Sequence, residues 1–213
     1  MSDNITSQFF NTYAVDFNAI YGNNHNLWNS FINLHFRKSM KLRLFKTLEG
    51  CNPSDNAKII DIGCGPGHYC VALAKKNVDS ITGVDFASEM IEIAQQKAIS
   101  EGVEAKCKFI CNDFMTITFN ETFDYSIVMG FMDYVDDPEA LIEKVLSITS
   151  KKAFFSFPLD GGFLAWKRKI KYKNRCKLFL YKYNEIEKLF ENKDFSRFEI
   201  EKISRDAFVT IYK

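Results

Sequence analysis

A chain of 213 residues is long enough for one sizeable core and too short for two ordinary domains. Its 28 Lys and Arg nearly balance 27 Asp and Glu, which leaves no global charge to recruit nucleic acid or a membrane surface. Aromatic residues make up 15% of the chain, with 21 Phe, and that excludes a disordered protein with little apolar surface to bury.

No apolar run approaches the roughly 20 residues that a membrane-spanning helix needs, and Met1-Ser2-Asp3-Asn4 opens no signal peptide. The six cysteines are scattered without a Cys-x-x-Cys pair, which reads as reduced thiols in a cytoplasmic protein. His25, His35 and His68 do not fall at ligand spacing, so no metal is expected.

Residues 5–22 are rich in rings, among them Phe9, Phe10, Tyr13, Phe17 and Tyr21. Leu27 to Leu48 reads as one long helix, with Leu27, Phe31, Leu34 and then Leu42, Phe45, Leu48 at helical spacing. Arg37, Lys38, Lys41, Arg43 and Lys46 form its other face, expected to be solvated. Turn chemistry over Cys51-Asn52-Pro53-Ser54-Asp55-Asn56 ends this arm.

Ile59-Ile60-Asp61-Ile62 then reads as a buried parallel strand, followed by Gly63-Cys64-Gly65-Pro66-Gly67 as a tight loop and by a helix from about His68 to Lys76. Glycines there let the backbone turn sharply and bring a ligand against bare N–H groups. Strand 80–84 leads into helix 88–99, with Ser88 as its expected cap. Strands 107–111 and 124–129 follow, and Asp137-Pro138-Glu139 opens helix 138–148. Lys152 to Phe157 is the fifth strand, stopped by Pro158. Asn184 with Glu187 three residues on starts a last helix, and Arg197–Ser204 with Ala207–Tyr212 alternate as a strand hairpin about an Arg205-Asp206 turn.

Strand–helix alternation of this kind implies an α/β fold, a doubly wound and mostly parallel sheet with right-handed crossovers. Asp61, Asp85 and Asp113 each stand at a strand end, where the carboxyl edge of such a sheet binds ligands. A single domain over 1–213 is expected, with an N-terminal helical cap (1–50), a core (57–158), a basic insertion after strand five (161–182) and a C-terminal helix and hairpin (184–213). The insertion carries Lys167, Arg168, Lys169, Lys171, Lys173, Arg175, Lys177 and Lys182 with no acid, interleaved with Phe163, Trp166, Tyr172, Phe179 and Tyr181. Two readings stand for it: a flap holding an anionic or planar substrate or phospholipid headgroups, or a solvated helix packed on the core.

Asp61-Ile62-Gly63-Cys64-Gly65-Pro66-Gly67 resembles the first motif of the class I S-adenosylmethionine (SAM)-dependent methyltransferases. Gly83 to Met90 is similar to their second motif, Asn112-Asp113-Phe114 to their third, and Phe123-Asp124 through Leu141 follows their fourth. The likeness covers roughly the middle half of the chain, with the motifs in order, and implies their Rossmann-like fold with an antiparallel last strand. Ser156-Phe157-Pro158 before a basic flap is also similar to the magnesium-protoporphyrin O-methyltransferase branch.

The resemblance implies SAM as cofactor and S-adenosylhomocysteine (SAH) as product. Asp85 would accept hydrogen bonds from the ribose hydroxyls, and Asp113 from the adenine amino group, with Phe86, Met90 and Phe114 about the ring. Asp61 would orient the amino-acid end over the backbones of Gly63, Gly65 and Gly67, with the Met129 backbone completing the clasp. Tyr13 and Tyr21 belong to a segment that folds over the cofactor in the family, or else their rings pack on the sheet. Asp133 and Tyr134 stand where many relatives place a histidine pair or an acid followed by His, and they are the candidates to orient or deprotonate an acceptor, with His68 as a third.

A nicotinamide enzyme fits less well, because its fingerprint asks for glycine where His68 stands. The expected partner is a small-molecule acceptor modified on oxygen or nitrogen, and the expected assembly is a monomer or homodimer. A non-catalytic binding protein on the same fold, and a nucleic-acid methyltransferase acting through the basic flap, remain as alternatives.

Overall fold

The computed structural model describes residues 27–51, 56–161 and 177–213, and within the first helix the side chains from Ser39 onward. Its seven strands are β1 (Lys58–Ile62), β2 (Ser80–Asp85), β3 (Cys107–Cys111), β4 (Phe123–Val128), β5 (Thr149–Pro158), β6 (Arg197–Ile203) and β7 (Asp206–Tyr212). They line up in one sheet as β3-β2-β1-β4-β5-β7-β6. The first five run parallel, while β7 is antiparallel to both β5 and β6. The helices are α1 (Leu27–Gly50), α2 (His68–Ala74), α3 (Ser88–Ser100), α4 (Pro138–Ser147) and α5 (Tyr183–Phe190). This is the doubly wound, mostly parallel sheet expected from the strand–helix alternation, with the antiparallel last strand that the methyltransferase resemblance implies.

Apart from Asp61, the buried part of β1 is apolar on both faces because helices cover both. Ile59 packs with Ile81, Ile127, Phe154 and Leu73 under α1 and α2. Ile60 and Ile62 pack with Val128, Phe155, Leu141 and Ile186 under α4 and α5. A strand buried on two faces has no polar alternation, and hence the nearly unbroken run in the sequence. The chain leaves β1 for β2 on one side and reaches β4 on the other, so the order reverses between β1 and β4. In open α/β sheets that reversal opens a crevice at the carboxyl ends of the strands.

Several local expectations change. The cap of α3 is Ala87, not Ser88, because the Asp85 carboxylate accepts the Ala87 N–H at 2.9 Å and holds the chain extended there. α5 begins one residue before Asn184, with Glu185 accepting from the Lys182 N–H at 2.8 Å. β5 starts at Thr149: the polar Thr149-Ser150-Lys151 hid its first turn of ladder, and Thr149 is buried with its hydroxyl 2.6 Å from that of Ser126. The hairpin turns at Ser204-Arg205, with Ser204 at φ 56°, and Asp206 already belongs to β7.

The largest change is in α1. Leu42 and Leu48 pack on the sheet as expected, but Phe45 is 56% exposed. The buried stripe is Ser39, Thr47 and, between them, the largely covered Arg43, each four residues from the next. Ser39 donates to Asp206 at 2.8 Å, and Arg43 donates to the Ser156 hydroxyl at 3.0 Å and lies 3.7 Å from the Asp206 carboxylate. Arg43 is therefore no solvated cation: it anchors α1 to β5 and β7. Among the described residues no helix is long and apolar enough to cross a membrane.

Candidate active site

Backbone hydrogen bonds shape the loop after β1. Gly63 and Cys64 both donate to the Val84 carbonyl, at 2.8 and 3.0 Å, and Gly67 donates to that of Cys64 at 3.0 Å. Gly63, Gly65 and Gly67 all have positive φ, at 69°, 50° and 72°, a region that L side chains avoid. Two of them differ in surroundings. A Cβ on Gly63 would stand 2.3 Å from the Phe131 ring, whereas one on Gly65 would meet nothing within 4 Å. The backbone at Gly65 thus faces open space, and Phe131 roofs the loop beside it.

Asp85, the last residue of β2, braces this loop. One of its oxygens accepts the Gly65 N–H at 2.9 Å and the other accepts the Ala87 N–H at 2.9 Å. Burial raises its pKa, and those two N–H donors and that of Phe86 oppose the rise. A carboxylate has lone pairs for further donors, so the brace and a ribose-binding role are compatible. The second Asp85 task carried no signal in the sequence.

Asp61 is 1% exposed and accepts from the Cys70 thiol at 3.4 Å. Desolvation raises its pKa to about 7, opposed by the thiol and reinforced by the charge of Asp85. Past β3, Asp113 caps a short turn (Phe114–Thr116) through one oxygen, which accepts the Met115 N–H at 2.8 Å. Around the expected adenine position, Phe86 is half-buried, while Met90 and Phe114 keep only 2% and 3% exposure. Phe114 packs into the core against Phe119, their centroids 5.8 Å apart and the rings tilted by 35°, so of the three expected at the adenine ring Phe86 is the least covered.

Past β4, Met129 is buried and the Gly130 N–H donates to the Ser156 hydroxyl at 2.8 Å, the same hydroxyl that Arg43 reaches. The turn Met132–Tyr134 follows, with Asp133 4% exposed and Tyr134 half-buried. The returning end of the basic insertion is pinned on this turn. Phe179 N–H donates to the Asp133 carbonyl at 2.8 Å, and the Tyr181 hydroxyl to that of Met132 at 3.2 Å. Burial, with the Asp133 and Glu185 charges, pushes the Tyr181 phenol well above its ordinary range. Phe179 and Tyr181, two rings of the basic insertion, thus reach the turn that carries Asp133, while Phe131 was not singled out by sequence reading, because its place over Gly63 is a long-range contact.

His68 opens α2, and its Nδ1 lies 2.9 Å from the Lys97 ammonium on α3. Burial and that ammonium push its pKa down to about 3. Such a ring stays uncharged and is a poor proton acceptor near neutral pH, so it ranks behind Asp133 and Tyr134 as a base. Tyr13, Tyr21 and the central part of the insertion (162–176) lie outside the described residues. Among the described residues no three His, Cys, Asp or Glu side chains gather as a metal site.

Residues 53–158 match a family model described as a methyltransferase domain. Norajmaline N-methyltransferase of Rauvolfia serpentina is 30% identical over 48% of this chain and 36% of its own length. Demethylmenaquinone methyltransferase of Bacillus subtilis (strain 168) is 33% identical over 54% of this chain and 48% of its own. The chain thus spans less than half the length of either relative. Among solved structures, magnesium protoporphyrin IX methyltransferase from Synechocystis PCC 6803 with bound SAH superposes with a TM-score of 0.78 over 100% of both chains, at 18% identity. That likeness is one of fold, and it includes the branch to which the fifth-strand segment is similar. The methyltransferase-domain match places this chain, over residues 53–158, in the class I SAM-dependent methyltransferase family, and the sheet has the fold of that family throughout.

Proposed function

We propose that this protein transfers a methyl group from SAM to oxygen or nitrogen of a small-molecule acceptor. The observation that carries the reading is an alignment along one sheet edge: a bare glycine loop after β1, with Asp61 near the end of β1, Asp85 closing β2, Asp113 just past β3 and Asp133 in the turn after β4. The residues fit the cofactor. Open space above Gly65 suits an amino-acid tail laid over backbone, and Asp61 and the Met129 backbone are the groups we assign to its polar end. Asp85 has lone pairs left for the ribose, and the Asp113 oxygen not used in capping is available to the adenine amino group.

When bound, that cofactor supplies a methyl already activated by its sulfonium. The chain's own residues align the acceptor and keep bulk water out. Asp133 orients the acceptor's hydroxyl or amine and takes its proton where one must leave, with Tyr134 beside it. The cationic, ring-rich insertion favours an anionic or planar acceptor, and the compounds in the relatives' names, norajmaline and demethylmenaquinone, favour a small molecule.

The test has two stages. Calorimetry is expected to show SAH binding and none with NADH, and absence of SAH binding at millimolar concentration would sink the reading. Methyl-labelled SAM is then offered with phenols, carboxylic acids and amines, and transfer to any of them identifies the acceptor atom. Labelling of RNA or DNA in place of every small acceptor would overturn the choice of substrate class.

A further inference from the structure

One side chain of α4 reaches across to the turn that carries Asp113. The Lys144 ammonium donates to the carbonyls of Phe114, Met115 and Ile117, at 2.7, 2.8 and 2.7 Å. An ammonium has three N–H donors, and here each has a backbone acceptor. The nitrogen also stands 5.0 Å from the centroid of the Phe114 ring, within the range of a cation–π contact. Three carbonyl oxygens aimed at one point repel one another unless a cation sits between them. A lysine on the polar side of an amphipathic helix is ordinarily solvated; this one does the work of a bound metal ion.

The turn it gathers is the one that aims Asp113. Thr116 donates to the Asp113 carbonyl through its N–H at 3.0 Å and through its hydroxyl at 2.8 Å. Met115 N–H occupies one carboxylate oxygen at 2.8 Å. The direction of the other oxygen therefore follows from the path of residues 114–117, and that path follows from the ammonium. Desolvation lowers the Lys144 pKa while the Asp113 charge opposes the change, consistent with a cation held close to that carboxylate.

We propose that Lys144 is a positioning residue for cofactor recognition: by drawing the three carbonyls of the 114–117 turn onto one ammonium, it sets Asp113 to accept the adenine amino group. The inference rests on the reading that Asp113 receives that group.

The test uses the full chain and two ligands, SAH and S-inosylhomocysteine, whose base carries a carbonyl in place of the amino group. A carboxylate that accepts from the amino group repels the carbonyl, so the wild type is expected to prefer SAH. Lys144→Met keeps the apolar stem and removes the donors; SAH affinity is expected to fall about tenfold, the scale of one charge-assisted hydrogen bond misplaced. The preference for SAH over the inosyl compound is expected to fall with it towards parity. Equal losses for both ligands, which mere loosening of the fold would give, overturn the proposal, as does an unchanged SAH affinity. Should Lys144→Met not fold, Lys144→Gln, a neutral donor of similar reach, is read in the same assay. A reduced preference supports the proposal and an intact one overturns it. A wild type without any preference, or an Asp113→Asn variant that keeps it, brings down the adenine reading itself. That failure shows without any change at Lys144.

Discussion

On the β1–β2 side of the switch point the site is held by main-chain N–H donors: Gly63 and Cys64 donate to the Val84 carbonyl, and Gly65 and Ala87 to the Asp85 carboxylate. On the β4–β5–β7 side it is tied by side chains. Ser156 takes Gly130 and Arg43, Asp206 takes Ser39 and Arg43, and Tyr181 holds Met132. A ligand that never varies suits a seat made largely of main-chain groups, which tolerate many sequences provided the glycines and Asp85 stay. A seat made of side chains changes shape with every substitution, and that is where an acceptor-specific pocket belongs. The two halves should therefore fail in different ways.

The largest separation is expected at Asp133. Asp133→Asn should lower methyl transfer by about 100-fold or more, the scale of a lost general base, while SAH affinity measured by calorimetry stays at the wild-type value. A parallel loss of SAH binding would erase the distinction between the halves. Next comes Arg43→Met, which removes the guanidinium 3.7 Å from the buried Asp206; urea unfolding should report about 3 kcal/mol of lost stability.

A glycine pair sharpens the cofactor half. Gly65→Ala costs about 1–2 kcal/mol for a left-handed alanine. Gly63→Ala should cost about 1–3 kcal/mol more in the same urea titration, because its methyl meets the Phe131 ring. Both should lose SAH binding, since both disturb the bare backbone.

The smallest effect is a pH dependence from Asp61, whose carboxyl is raised from an ordinary 3.8 to about 7. A raised acid favours the folded apo protein fully below the ordinary value and loses that share as pH rises through about 7. Binding of a cationic amino-acid tail runs the other way, because it needs the carboxylate. SAH affinity should thus climb by up to about tenfold per pH unit below the folded pKa and level off above it. Asp61→Asn should flatten that profile in calorimetry at several pH values.

How much of this was legible differs by element. The parallel strands β1 to β4 lie within a residue or two of the expected ranges, since burial on both faces writes an apolar run into β1, β2 and β4, and the acid just past the edge strand β3 marks its end. α1 was found as a helix but turned the wrong way: hydropathy put Phe45 inside and Arg43 outside. The partners that make Arg43 a buried residue, Ser156 and Asp206, lie 113 and 163 positions further along, beyond any local pattern. Lys144 was silent for the same reason. Its partners are backbone carbonyls, which every residue type supplies.

The amino-acid sequence by itself determined the strand–helix alternation, the glycine loop and the acids at the strand ends, because each is a local pattern that burial or backbone conformation imposes on neighbouring residues. Only the tertiary structure decided that Asp85 braces the loop it faces, that Arg43 is buried, and that the returning insertion sits on Asp133. Those facts are distances between groups far apart in the chain, and no spacing along it encodes them.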